Sequence, residues 1–206
     1  MVHSDNRTRI CGLIGGMLFW AQALYNIYTY ILLFVRVGAA VNLLTVLSIV
    51  EYLMLGLAAV MDRRGTLLKI AACMLGVQNL FSAVTVLVST ATATAHTTAY
   101  TIMLTSAVGS IASVIMAAVI LAGVRSQGQA RGLNIWCAVP AVVQMAGIVL
   151  QLRLLTAREA LSPAGLVLAA LRCVGIVLVC LWATAPVRAG VEEELREEEF
   201  PFAESV

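Results

Sequence analysis

Charge is scarce in this sequence. Only 12% of its 206 residues are Asp, Glu, Lys or Arg, about half of the roughly 25% found in a soluble globular domain. Lysine occurs once, as Lys69, against twelve arginines, and the net charge is only +2. The basic residues are scattered between apolar runs, so no basic stripe exists for nucleic acid. Histidine is nearly absent: His3 and His96 both fall outside or at the rim of the apolar runs. No set of His, Cys and carboxylate has metal-ligand spacing, and neither metal nor cofactor is expected. The cysteines, Cys11, Cys73, Cys137, Cys173 and Cys180, are odd in number, and none stands in a C-x-x-C pair. They read as small apolar residues inside helices.

What remains is hydrocarbon. The chain is 61% hydrophobic with a mean hydropathy of +0.96, and runs long enough to cross a core about 30 Å thick recur along it. The expected fold is an all-α integral membrane protein, a bundle of six transmembrane helices near 10–35, 39–61, 67–88, 99–123, 133–152 and 161–184, preceded by a segment over 1–9. The first run resembles a secretory signal at Ala21-Gln22-Ala23, but it continues to Val35 and is read as a retained helix. After Pro186 the composition changes to VEEELREEEF, so 186–206 reads as an acidic solvated tail.

Orientation follows from the arginines. With both termini in the cytoplasm, Arg7, Arg9, Arg63, Arg64, Lys69, Arg125, Arg131, Arg188 and Arg196 lie inside, and Arg36, Arg153 and Arg158 outside. That asymmetry agrees with the positive-inside rule, and a cell membrane is the expected location. The uncharged loop STATATAHTTA then faces outward.

Polar residues at helical spacing mark candidate interior faces, because an unpaired polar group facing lipid costs free energy. Gln22, Asn26 and Tyr30 fall in line on the first span, Gln78 on the third and Gln144, four residues after Pro140, on the fifth. They are candidate pocket-lining residues. Helix packing alone also accounts for such stripes.

Two full charges lie deep in spans, and they have opposite sign. Glu51 is twelve residues from Ala39, and Arg172 is eleven from Leu161, which gives depths of about 18 and about 16.5 Å. The equal depth predicts an intramembrane ion pair, Glu51 with Arg172. A lone charge there costs about 2.5–3.5 kcal/mol on the insertion scale, and a carboxylate satisfies a guanidinium better than a serine or amide does. The pair has two meanings at this point, a structural clamp or a ligand- or proton-handling site.

Two functions are compatible with this inventory. One is a small carrier or substrate-binding membrane subunit whose mid-membrane site takes an anionic or zwitterionic small molecule, or couples to protons through Glu51. The other is a membrane scaffold that assembles with a protein partner or with its own copies, through a lipid-facing seam such as Gly12-x-x-x-Gly16. Enzymatic activity is not expected, since there is one deep carboxylate, no buried histidine and no serine paired with a base.

Overall fold

The computed structural model describes residues 6–38, 43–62, 64–92, 98–126, 132–156 and 163–186. Its regular elements are all helices: α1 (Asn6–Val37), α2 (Leu43–Val60), α3 (Thr66–Thr92), α4 (Thr98–Ser126), the single turn α5 (Leu133–Trp136), α6 (Val139–Thr156) and α7 (Pro163–Thr184). Five of them, α1 to α4 and α7, are long and apolar enough to cross a membrane. By helix length and composition this is a multi-pass integral membrane protein. The acidic tail from 187 onward and the first five residues lie outside the described residues.

The fifth expected span, 133–152, is interrupted. The chain forms α5, turns at Cys137 and Ala138, and starts again as α6 with Pro140 in its first turn. A proline lacks the N–H that a helix interior needs but is tolerated in a first turn, so the break falls where the proline requires it. The continuous helix α6, Val139–Thr156, is 18 residues or about 27 Å long, so the expected span is divided between α5 and α6. Elsewhere the ends are conventional. Gly38 closes α1 at φ +64°, its N–H donating to the Phe34 carbonyl at 3.0 Å. The last helix stops just before Ala185 and Pro186.

The helices close into a ring. Going round, α1 packs on α2, α2 on α3, α3 on α4, α4 on α6, α6 on α7 and α7 on α1, and α4 also reaches across to α7. Buried side chains concentrate at one end of this ring, where Leu55, Leu68, Leu75, Met116, Ile120, Ile176, Val179 and Trp182 meet. Toward the other end, Tyr28, Phe34, Leu43, Phe81, Val84 and Val88 are exposed on the outer surface, where lipid rather than protein would cover them.

Glycine makes the tight end tight. A Cβ on Gly16 would sit 2.8 Å from the Gly56 carbonyl oxygen, and one on Gly12 would meet the Trp182 indole. Both glycines are buried. The Gly12-x-x-x-Gly16 seam expected at the lipid face is therefore turned inward. It lets the backbones of α1 and α2 approach and seats Trp182 of α7, the use that small residues have between membrane helices.

A polar clasp lies just outside this core, between α2 and α3. Asp62 adopts φ +54°, a left-handed conformation that aspartate tolerates better than most residues. Its Oδ1 accepts a hydrogen bond from Trp182 Nε1 at 2.6 Å and lies 3.9 Å from Arg64 Nε. Arg64 also donates to the Ala185 carbonyl at 2.8 Å, with its guanidinium 5.2 Å from the Trp182 ring centroid. Burial holds the Arg64 guanidinium below its ordinary pKa, an effect that Asp62 opposes. Because Trp182 and Asp62 act through one hydrogen bond, Trp182→Phe and Asp62→Ala should be non-additive by about 0.5–3 kcal/mol in unfolding from detergent micelles. Strict additivity would show that the clasp does not couple the α2–α3 turn to α7.

Candidate functional site

Arg172 sits nine residues into α7, and Glu51 eight residues into α2, so the two helices carry their charges at similar depths. The guanidinium nonetheless finds other partners. Its Nη2 donates to Ser113 Oγ of α4 at 2.7 Å, and its carbon lies 5.4 Å from the Tyr52 ring centroid, within cation–π range. Ser113 is buried and in turn donates to the Gly109 carbonyl at 3.0 Å. Tyr52 also packs against Phe19 of α1, ring centroids 5.6 Å apart and planes tilted. Small residues on α4 make room for the arginine, and an aromatic pair from α1 and α2 covers it.

Arg172 therefore reaches the residue next to Glu51 and not Glu51 itself. Both α2 and α7 pack on α1, and consecutive helical residues point about 100° apart. With Tyr52 directed at Arg172, Glu51 is carried round toward α3. The expected ion pair is not made as a direct contact: neither carboxylate oxygen of Glu51 has a hydrogen-bond partner.

Glu51 is 1% exposed, and it lines a groove of about 510 Å³ between α2 and α3. The walls are Leu44, Leu47, Cys73, Met74, Val77 and Phe81, with Gln78 as the second polar member. Leu44, Cys73, Val77 and Phe81 are exposed on the outer surface of the bundle, so the groove opens sideways, where the acyl chains of a bilayer would lie. Gln78 Nε2 donates to the Leu44 carbonyl at 2.9 Å. A carbonyl only accepts, so the amide nitrogen must face it, and Gln78 Oε1 is left buried without a partner.

The other candidate residues lie apart from this groove. Gln22 Nε2 donates to Asn26 Oδ1 at 3.1 Å along α1 itself. Tyr30 is half-buried one turn further on. Gln144 is buried on α6 with an unpartnered Oε1 that faces Gly109 of α4. The five residues therefore do not form one pocket: Gln78 joins Glu51, Gln144 lies near the Ser113 end of the arginine network, and Gln22, Asn26 and Tyr30 lie on α1, with Gln22 bonded to Asn26. Ser113 and Tyr52 were missed in the sequence because serines and tyrosines are common packing residues in membrane helices. The helical step from Glu51 to its neighbour was the one available signal for Tyr52.

Among the described residues, no group of three or more His, Cys, Asp or Glu side chains gathers to hold a metal ion. No family model, curated protein or solved structure matches this chain. Its function has to be argued from the groove and the arginine network alone.

The geometry ranks the partners of Arg172. In double-mutant cycles read from unfolding in micelles, Arg172→Gln should couple to Ser113→Ala by about 0.5–3 kcal/mol. Coupling of Arg172→Gln to Glu51→Gln should be smaller, since those groups meet only through space. The reverse order would mean that the two charges join directly in the folded protein.

Proposed function

We propose that this protein is a membrane-embedded small-molecule binder, a small carrier or substrate-binding membrane subunit, whose site is the groove between α2 and α3. The observation that carries this reading is a fully buried carboxylate without a hydrogen-bond partner, lining an open groove of about 510 Å³. Such a volume falls within the roughly 300–1,000 Å³ of small-molecule sites, which are mostly apolar with a few placed polar groups. An ionisable side chain left unsatisfied inside a membrane protein is costly, and a functional role is the default reason for keeping one. In this reading Arg172 is structural: it ties α7 to α4 and α2 and leaves Glu51 to the ligand. The scaffold alternative has lost its lipid-facing glycine seam, since Gly12 and Gly16 are occupied within the chain.

The proposed orientation keeps both termini in the cytoplasm, with the tight end of the bundle and the Asp62–Arg64 clasp on that side. The groove then lies in the outward half of the membrane, accessible from the outer leaflet. No part of this reading calls for catalysis.

Two measurements test it. In a background without the five native cysteines, Gln78→Cys should react with a small membrane-permeant maleimide in the folded protein, and Gln144→Cys should react only after denaturation. A position 78 that stays inert until the protein is unfolded would close the groove and end the ligand-binding reading. For orientation, cysteine at His96 should be labelled in intact cells by an impermeant maleimide and cysteine at Ser126 should not. The opposite pattern would invert the assignment.

A further inference from the structure

The groove's chemistry is one-sided. Its unpartnered buried atoms are Glu51 Oε1, Glu51 Oε2 and Gln78 Oε1, all oxygens with lone pairs to fill. The one polar donor nearby, Gln78 Nε2, is already spent on Leu44. Arg172, the cation at the depth of Glu51, is engaged with Ser113 and the Tyr52 ring and does not line the groove. A complementary ligand has to bring donors, and a positive charge suits the carboxylate best.

The walls fix the rest of the molecule. Leu47, Met74, Val77 and Phe81 are apolar, and the open side of the groove faces the lipid-exposed surface of the bundle. A freely water-soluble cation would be desolvated along its whole length there, whereas a hydrocarbon chain would not.

We infer that the groove binds a lipophilic amine taken from the bilayer, its ammonium donating to Glu51 and to Gln78 Oε1 and its hydrocarbon lying along Leu47, Val77 and Phe81. This rests on the ligand-binding reading above and names the ligand class for that same site. The carboxylate oxygens are out of solvent contact, so binding requires a side-chain rearrangement at the groove wall, for which Met74, unbranched and adaptable, is the candidate. An ammonium brings several N–H donors on one atom, so one head group serves both side chains. An alcohol offers a single donor and leaves the charge of Glu51 uncompensated. A carboxylate would set a second negative charge beside Glu51. The anionic ligand compatible with the sequence is thus the one that this groove disfavours.

The test uses the full chain in lipid nanodiscs and three photoreactive probes that share one diazirine-bearing dodecyl chain and end in an amine, an alcohol or a carboxylate. Crosslinks are mapped by mass spectrometry, with unlabelled dodecylamine as competitor. The amine should label the segments 44–51 and 73–81 about tenfold more than the other two probes, the factor that about 1.4 kcal/mol of head-group preference provides. Dodecylamine should compete that labelling away, and Glu51→Gln should reduce amine labelling to the level of the alcohol. Equal competed labelling by all three probes would overturn the amine assignment while leaving the groove as a binding site. A preference for the carboxylate would overturn it too. Absence of competed labelling on either segment would overturn both readings. The comparison of head groups on the native chain stands even if Glu51→Gln fails to fold.

Discussion

A guanidinium inside a hydrocarbon slab has no solvent to fall back on, so its partners must come from the chain. Arg172 draws them from two other helices, a serine hydroxyl on α4 and a tyrosine face on α2. Nothing in the lipid replaces either contact. That requirement organises the middle of the bundle. It explains why α4 is lined with Gly109, Ser110 and Ser113 at the level of the arginine, and why Phe19 of α1 packs against Tyr52. It also fixes the rotation of α2, and the rotation of α2 decides where Glu51 points.

The position of Glu51 is thus a by-product of the contacts that Arg172 makes with Ser113 and Tyr52, which leave only its Nε buried without a partner. With Tyr52 committed to the arginine, the preceding residue is swung about 100° round the helix, into the α2–α3 groove, where no side chain answers it. A protein that needed only packing at this point would be served by leucine, because removing both members of a buried charge set in favour of apolar residues is often neutral or stabilising. A carboxylate kept here without a partner is the strongest reason to look for a ligand at the groove. The tight end of the ring, closed by Gly16 against Gly56 and by Trp182 on Gly12, packs α2 closely on the turn that follows this buried carboxyl. Strain or solvation cost on one side of α2 is opposed by close packing on the other.

The depth of the two charges was readable from the sequence because depth is only a count of residues at a fixed rise. Their direction around the helices was not. In a soluble helix, polar and apolar faces reveal the rotation, but α2 and α7 are apolar on most of their surface and carry little such asymmetry. Two groups at equal depth could therefore be paired on paper although α1 packs against both of their helices. The same blindness moved the glycine seam: Gly12 and Gly16 clearly form a small-residue face, yet whether that face meets lipid or Trp182 depends on an azimuth that spacing does not encode. Pro140 shows the opposite case. Its local chemistry was plain, and it placed a break inside the run over 133–152, but run length alone favoured one continuous span.

Lateral and axial access place different demands on a mid-membrane site. A site filled from water has to present a continuous polar path, and Gln22, Asn26 and Gln144 would have been its natural lining. In the structure those amides are scattered, with Gln22 bonded to Asn26 along α1 and Gln144 buried against α4. A site filled from the bilayer needs no such path, only an apolar opening between two helices and one polar feature beneath it to select the head group. The α2–α3 groove meets both conditions, with Phe81 and Val77 exposed at its mouth and Glu51 at its floor. Its selectivity would lie in charge compensation, since hydrocarbon tails of any lipophile fit its walls about equally well while only a donor-bearing head relieves the buried carboxylate.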